Sequence, residues 1–438
     1  MKLYKFLLIL LLSVFLKSNS QEILTKDKAI NLALDHNYGI KIANNKTEIA
    51  KNNASLYNTK YLPTISASTG INYGNNYSDN TLQNGTIIST DNAEQNNYNA
   101  SIALKYTLFD GFGRLYNYKR LKESHQISEL DVRGIIENTI LNVFTKYFEI
   151  ARLTQNEITL KQSLEISKQR LKRVSYSFEY GQNTKLEVLN AEVDVNNDSI
   201  SYINIKRQLA NAKRDLNLIL GTDITATFNV ETNVLFLENL LLDDILNESI
   251  LNNVNILKAE SNIALGNYDI KINNAGWFPT INLNSSYGFT NFNNDITYLY
   301  DQQKSKNISA GLSLSWNIFD SGTTKTRVQN AKISLENLSI LREELIQELK
   351  RNVLNAWEIY QNNLFIFNAE ETNLNTNKRN FERSQEFYKL GQITSIQFRQ
   401  AQVNLLNAEN NFNKAKFEAK IAEIILLQLS GKLLYISF

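Results

Sequence analysis

The chain of 438 residues contains no cysteine, two prolines, two histidines and one methionine. Without cysteine there can be no disulfide, thiolate metal site, cysteine nucleophile or cysteine-borne lipid. His36 and His125 stand apart, in no metal-ligand spacing, and read as helix-surface residues. Charge of either sign is not in excess: 46 Lys and Arg face 44 Asp and Glu, which gives no pull toward nucleic acid or an acidic substrate. Long apolar runs are missing too. The one run, Phe6 to Leu16, follows Lys2 and Lys5 and precedes Ser18-Asn19-Ser20. It is too short to span a bilayer, which needs ~20 residues, and has the layout of a signal peptide cleaved after Ser20. Residues 1–20 are therefore set aside as a signal peptide, and the mature chain is expected to be exported. If it resides in a membrane, it must do so through strands. Gly111-Phe112-Gly113 lacks the third glycine of a dinucleotide loop. No catalytic motif, metal site or cofactor site is expected, and the protein is not read as an enzyme.

What the sequence does have is repetition. Phe109-Asp110 recurs as Phe319-Asp320, Gly181-Gln182 as Gly391-Gln392 and Gly221 as Gly431, each pair 210 positions apart. Upstream, Asn37, Ala43 and Pro63 match Asn253, Ala259 and Pro279 at an offset of 216. The difference falls between the proline and the Phe-Asp pair, in a segment that reads as a loop. Two copies of one large unit follow. The boundaries drawn from this are 21–221 for the first repeat, 222–240 for a linker and 241–438 for the second repeat.

Each unit reads helix, strand, loop, strand, long helix, turn, helix. The strands, about 64–74 and 97–109, then 280–290 and 307–319, alternate with a period of two. Ile102, Leu104 and Tyr106 alternate with Ser101, Ala103 and Lys105; Ile308, Ala310, Leu312 and Leu314 alternate with Ser309, Gly311 and Ser313. Each strand is about the ten residues that cross a hydrocarbon layer at a tilt, and Tyr61, Trp277, Tyr106 and Trp316 mark one boundary level. The segments from Gly74 to Gln95 and from Asn291 to Ser305, rich in Asn and Asp, read as loops. A soluble sandwich is the competing reading, but four strands are few for one. Four strands also cannot close a barrel, and a lipid-embedded sheet cannot leave an edge open, so the chain is expected to oligomerise.

From Gly113 to Tyr180 only Gly134 interrupts the helical pattern, roughly 100 Å at 1.5 Å per residue. The return helix, Asn183 to Leu220, carries two seams. Val188, Ala191, Val195, Tyr202, Ile205, Leu209, Ala212 and Leu216 form one, with Asp198 out of character. Leu186, Leu189, Val193, Ile200 and Ile203 form the other. Two seams on one helix call for neighbours on both sides. The two prolines fall into place against this background. Proline removes a backbone donor and pushes the preceding residue toward extended geometry, so Pro63 and Pro279 stand where a helix must become a strand. Asp110 and Asp320 stand at the return, where a carboxylate can cap the long helix.

Taken together, the tandem repeat, the Leu62-Pro63 and Phe278-Pro279 phrases, the Asp110-Gly111 and Asp320-Ser321-Gly322 turns, and the series Arg173, Gly181, Ala191 and Arg383, Gly391, Ala401 resemble the TolC-type outer-membrane efflux family over the whole mature sequence. The resemblance implies an α+β membrane protein, a homotrimer whose 12-stranded barrel in the outer membrane continues as a long periplasmic α-helical barrel. It further implies a passive exit duct of a tripartite system in a Gram-negative bacterium, driving out small toxic molecules with a periplasmic adaptor and an inner-membrane pump. Adaptor docking falls by resemblance on the tips at Arg173, Gly181, Gln182, Arg383, Gly391 and Gln392. The entrance falls on Tyr388 and Glu187. Ile393 stands where the family pattern has an arginine, and Gln397 and Gln400 where it has acidic rings. A duct for type I protein secretion and a non-conducting periplasmic scaffold are the alternatives; the amphipathic strands speak against the scaffold. The terminal Leu434 to Phe438 alternates and ends in an aromatic residue, but follows the last helix and reads as a tail.

The strand faces generate a test. Leu104→Arg or Leu314→Arg is expected to impair membrane assembly, at a cost of roughly 2–4 kcal/mol for a lipid-facing midplane arginine, whereas Ser313→Arg is expected to assemble. Heat-stable oligomer in outer-membrane fractions reads both outcomes, and the reverse pattern would swap the faces.

Overall fold

In the computed structural model, residues 23–237, 240–294 and 302–435 are described; residues 1–20, read from the sequence as a signal peptide, and residues 436–438 of the tail lie outside them. The first repeat contains β1 (Ile23–Leu24), α1 (Lys26–His36), α2 (Tyr38–Asn53), β2 (Thr64–Thr81), β3 (Ile87–Phe109), α3 (Gly113–Glu179) and α4 (Lys185–Leu220). After β4 (Asn229–Val230), the second repeat contains α5 (Leu242–Asn252), α6 (Val254–Asn274), β5 (Thr280–Asn294), β6 (Gln302–Ser315), α7 (Thr323–Lys389) and α8 (Ser395–Leu429). The long helices α3 and α7 have 67 residues each, and their return helices 36 and 35. No described helix is long and apolar enough to cross a membrane.

The sequence repeats are not the compact units of the fold. One unit takes residues up to Asn45, Leu130–Leu257 and Glu344–Phe438; the other takes Lys46–Glu129 and Lys258–Glu343. Each draws on both repeats.

The second unit holds a four-stranded antiparallel sheet in the order β2-β3-β5-β6, so the two hairpins join through β3 and β5. Residues in one cross-strand row share a face. One face carries the row Ala67, Ile102, Tyr287 and Ile308 and the row Tyr106, Leu283 and Leu312. The other carries Ser66, Ala103, Ser286 and Ser309, with hydroxyl pairs Ser68–Ser101 at 2.9 Å and Ser286–Ser309 at 2.8 Å. The expected alternation is thus present, with Leu104 and Leu314 on the apolar face and Ser313 on the polar one.

The strand ends differ from the sequence reading in several places; in the second hairpin β5 runs on to Asn294 and β6 starts at Gln302, where 290 and 307 were expected. The first hairpin continues through most of the segment taken for a loop, to a turn around Gly85 at φ +83°. Its Asn and Ser side chains satisfy one another, as in Asn75 Nδ2 to Asn92 Oδ1 and Tyr77 Oη to Asn92 Oδ1, both 3.0 Å; polar composition misled because ladder bonds belong to the backbone. β6 stops at Ser315 rather than 319, because its partner β5 begins only at Thr280, after Pro279, which has no N–H to give. β3 reaches Phe109 through an irregularity after Thr107, which takes Leu108 out of the alternation.

In the first unit, β1 pairs in parallel with β4, so residues 222–240 are more than a tether. Tyr147 of α3 fixes this pairing: its hydroxyl donates to Leu24 O at 2.7 Å and accepts from Glu231 N at 2.9 Å. Burial pushes the Tyr147 phenol up to about 12. α8 grips the same strap from another side: Lys416 Nζ donates to Thr232 O (3.2 Å) and Lys420 Nζ to Leu235 O (2.7 Å), while Glu423, paired with Lys420, accepts from Leu237 N (3.1 Å). Phe144, Tyr147, Phe148 and Phe417 fill the core between these elements.

The repeat correspondence holds at atomic level. Asn37 Nδ2 donates to Ile219 O at 2.8 Å, and its counterpart Asn253 donates to Leu429 O at 3.2 Å. Gly221 and Gly431 end α4 and α8 at φ +68° and +71°, and a Cβ there would lie 2.4 Å from His36 O and 2.6 Å from Asn252 O. Both the left-handed backbone and the close carbonyl demand glycine. Gly221→Ala and Gly431→Ala are each expected to destabilise by more than the ~1 kcal/mol of a simple glycine exchange, read as a lowered Tm; an unchanged Tm would mean that the helix ends are not held as described.

Candidate functional site

The two helix–helix turns are built alike. At the first, Gly181 sits at φ +72°, its N–H donates to Phe178 O (2.9 Å), and Gln182 N donates to Ser177 O (2.8 Å). At the second, Gly391 sits at φ +73°, with Gly391 N to Tyr388 O (3.1 Å) and Gln392 N to Phe387 O (2.8 Å). These bond pairs close the helix C-termini and require a left-handed residue. Both glycines face open space, where a Cβ would meet nothing within 4 Å, so they are conserved between the repeats by backbone geometry rather than crowding. Thr184 and Thr394 then cap the next helices, accepting from Glu187 N (3.4 Å) and Gln397 N (3.2 Å).

Gln397 completes a capping box, since its Oε1 accepts from Thr394 N at 2.9 Å. Gln400 Nε2 donates to Asn404 Oδ1 at 2.8 Å, and both glutamines are exposed. Tyr388 is held by its ring. It stacks on Phe398 with centroids 4.7 Å apart and planes 3° from parallel, and the Arg173 guanidinium lies 4.8 Å over its other side. Arg173 also donates to Lys389 O at 2.9 Å, so the first repeat grips the second at the tip. Among the described residues the Tyr388 hydroxyl makes no hydrogen bond; the link to Glu187 expected from the resemblance is not formed within the chain. Ile393 packs with Phe381, Phe398 and Ala401 in a small apolar cluster. Arg383, the counterpart of Arg173, is exposed.

One helical turn further in lies a polar network that the sequence reading passed over. Arg399 of α8 forms a two-pronged pair with Asp198 of α4, both bonds 2.8 Å, and also donates to Ser167 Oγ of α3 at 3.1 Å. Ser167 donates to Asp198 Oδ2 at 2.6 Å, and Gln402 Nε2 to Ser167 Oγ and Ser163 Oγ, each at 3.0 Å. Arg170 pairs with Asp194 and donates to Ser395 O at 3.3 Å. Ser167, Arg170, Asp198 and Gln402 are all buried. Burial alone would lower the Arg399 pKa; the hydrogen bonds and charge of Asp198, with Asp194, outweigh it and raise it. Asp198 was visible as the one carboxylate interrupting an apolar seam. Its partner, 201 positions away on the other repeat, was not.

At the other set of predicted positions, Asp110 and Asp320 cap the long helices. Asp110 Oδ2 accepts from Arg114 N (3.1 Å) and Nε (2.9 Å); Asp320 accepts from Gly322 N (3.0 Å) and Thr324 N (2.8 Å). The Thr324 hydrogen bonds hold the Asp320 carboxyl below its usual range. Arg114 also donates to Lys60 O (3.0 Å) and Thr107 O (2.6 Å) and lies 5.4 Å over Tyr61, binding the helix start to the strand end. Pro63 and Pro279 each stand one residue before a strand, and Phe278 is extended at φ −103°, ψ 153°. Trp316 Nε1 donates to Trp277 O at 3.2 Å, so the two tryptophans share one level. The described residues hold no cluster that could bind a metal ion.

Paired helix–hairpin–helix repeats, one shared amphipathic sheet and two glycine-capped helical turns locked together by buried ions define an outer-membrane channel fold. The profile of the Outer membrane efflux protein family matches residues 29–222 and again 245–432, and the chain belongs to that family. Similar known proteins include the probable outer membrane lipoprotein SilC of Salmonella typhimurium, 21% identical over 92% of this chain and 85% of that one. The outer membrane protein TolC of Escherichia coli K12 is 21% identical over 85% of this chain and 75% of its own. Among solved structures, the Campylobacter jejuni CmeC outer membrane channel aligns with a TM-score of 0.76 at 19% identity, covering 93% of this chain and 86% of that one. CusC aligns at 0.75 and 17%, covering 95% of each. The protein is accordingly an outer-membrane efflux protein, and its chemistry is that of a conduit.

The buried network makes a sharp contrast with the tip. Asp198→Ala is expected to cost up to about 3–5 kcal/mol, because Arg399 loses its two-pronged partner and keeps only Asp194, 3.5 Å away, as a counter-charge, while Asp198→Leu with Arg399→Leu recovers much of the loss. Tyr388→Phe is expected to change stability by no more than about 0.5 kcal/mol. Denaturant unfolding of the detergent-extracted protein distinguishes them; additive losses in the double variant would remove the pairing from the account.

Proposed function

We propose that this chain forms a homotrimeric, passive exit duct of a tripartite efflux system, with a 12-stranded barrel in the outer membrane and a helical conduit in the periplasm. The observation that carries the reading is the sheet. Its apolar face is bare, with Ile65, Ile71, Ile308 and Leu312 each about 70% exposed or more, and among the described residues β2 and β6 have no strand on their outer sides. Lipid would cover the face, but no bilayer tolerates the open edges. Copies of the chain joined edge to edge remove both problems.

The second seam supports the same reading. Leu186, Leu189, Val193, Ile200 and Ile203 of α4 are exposed, as are Ile359, Phe365 and Ile366 of α7. Two different apolar stripes suit a head-to-tail ring, in which each copy offers one stripe to either neighbour. Arg173, Gly181 and Gln182, with Arg383, Gly391 and Gln392, would meet a periplasmic adaptor coupled to an inner-membrane pump. Pro63, Pro279, Asp110 and Asp320, with their aromatic neighbours, would lie at the membrane boundary. Driven cargo is read as small toxic molecules; CusC is described as part of a cation efflux system, and nothing in this chain's tip singles out cations.

The gate reading places Tyr388, Glu187, Gln397 and Gln400 at the entrance. Amides cannot match the field of facing carboxylates, so a trivalent cation added from the periplasmic side is expected to block single channels weakly. Gln397→Glu, which keeps a capping-box side chain, combined with Gln400→Asp is expected to create a tight block that weakens with salt. Strong block of the unmodified channel would place the constriction elsewhere. A monomer that forms no pores in planar bilayers would overturn the duct itself.

A further inference from the structure

The charges of this chain balance overall, but not where its helices meet the sheet. Residues 54–63, 113–122, 270–279 and 323–335, the stretches that lead into or away from the four strands, hold nine basic residues and no acidic one. The acids beside them are already engaged. Asp110 and Asp320 cap the long helices, the former also holding Arg114, and Asp269 pairs with Arg120 at 2.7 Å. Helix stability does not explain the excess, since Lys325 stands in the first turn of α7, where the helix dipole favours an acid. Lys122 and Lys332 correspond at the 210-residue offset, so both repeats carry the charge. All four stretches belong to the compact unit that holds the sheet.

Three of these cations cluster with three tyrosines. Lys122 Nζ lies 4.6 Å from the centre of the Tyr118 ring and Lys119 Nζ 5.9 Å from that of Tyr116. Lys271 Nζ lies 5.3 Å from the same Tyr116 ring and 5.6 Å from Tyr268. The lysines are exposed and form no ion pair among the described residues, whereas the tyrosines are half-buried. Two ammonium groups thus sit about one ring, where their repulsion favours an anion between them. Lys122 stands about 14 Å along α3 at 1.5 Å per residue. Helical side chains lean toward the N-terminus, here toward the sheet, as Lys122 over Tyr118 and Lys119 over Tyr116 both do. Their ammonium groups therefore come within about 10 Å of the start of the helix. A headgroup layer extends about 5–8 Å beyond the hydrocarbon.

The cluster is joined to the apolar face of the sheet. Tyr106, on that face, lies close enough to Tyr61 to add to the raised pKa of its phenol, which burial dominates. Tyr61 meets Tyr118 edge-on with centroids 6.4 Å apart, and Lys122 lies over Tyr118. An aromatic path thus leads from the apolar face to the lysines. A soluble acid would have no use for that path. A phospholipid has acyl chains for the apolar face and a phosphate for the ammonium groups beside it. We propose that Lys119, Lys122 and Lys271, with Tyr116, Tyr118 and Tyr268, bind the phosphate headgroups of anionic phospholipids in the membrane leaflet on the helical side. Such contacts hold the sheet at one depth in the bilayer. The proposal rests on the membrane reading of the sheet and adds the lipid chemistry at its helical boundary.

Two tryptophans report on this level. Trp277 and Trp316 are bonded to each other at the strand ends and half-exposed, while Trp357 lies in the other compact unit and gives a constant background. The full-length protein is reconstituted in vesicles of phosphatidylcholine and phosphatidylglycerol in equal parts, with one lipid or the other brominated on its acyl chains near the headgroup. Brominated phosphatidylglycerol is expected to quench as if enriched about fivefold around the protein, the factor given by roughly 1 kcal/mol for a lysine near a charged surface. The preference is expected to fall with added salt. Changing Lys119, Lys122 and Lys271 together to Gln is expected to abolish it, and changing them to Arg to keep it. Lys304→Gln with Lys306→Gln, at the far end of β6, is expected to leave it unchanged. Equal quenching by the two lipids, or an equal loss in the β6 variant, overturns the proposal and leaves the membrane reading standing. Inorganic phosphate that removes the preference more than chloride at the same ionic strength assigns the site to free phosphate and overturns the lipid. No quenching by either lipid means that the tryptophans meet no bilayer, and overturns the membrane reading itself.

Discussion

The pairing of β3 with β5 is the constraint on which the rest of the structure depends. It joins two hairpins that sequence places more than 170 residues apart, as in the Thr107–Asn282 side-chain bond at 2.8 Å. It makes one sheet with one apolar and one polar face. Once that sheet exists, each chain has a bare lipid-compatible face and two open edges, a combination that water penalises on the face and lipid on the edges. Closure among copies in a membrane, as proposed, would meet both demands.

The helical turns show how such a conduit can be firm without being sealed by hydrophobic packing alone. A buried arginine–aspartate pair costs desolvation of both charges. Here Arg399 and Asp198 recover that cost through two short bonds to each other and a third to Ser167. The arrangement ties α3, α4 and α8 to one relative position. It fixes register in a way that sliding apolar seams do not, since a shift of one turn would strand both charges. Above it, Tyr388 is gripped through its ring faces by Phe398 and Arg173, a contact that tolerates small rotations.

Much of the architecture was legible in the residues. The 210-residue offset, the placement of two prolines before strands and the alternation of Leu104 or Leu314 with Ser313 are local or periodic signals, and the structure repeats them. The glycines at 181, 221, 391 and 431 were legible for the same reason: each stands at a helix end where the left-handed backbone excludes a side chain. The extension of the first hairpin was not legible, because Asn, Asp and Ser read as loop while the ladder they join is made by backbone groups. Nor was the stop at Ser315, which depends on where the partner strand begins.

What the sequence by itself determined was the repeat, the element types and the faces of each element, since these follow from spacing along one chain. What only the tertiary structure decided was which elements meet. Asp198 interrupts a seam in the sequence, and nothing nearby reveals that Arg399 answers it. Phe228 and Val230 lie in a stretch read as a linker, yet they are buried, because β1 and Tyr147 reach them from elsewhere in the chain. Pairings of this kind are set by the chain's return to itself over long separations, where the energetic preference belongs to two distant residues jointly and is recorded at neither alone.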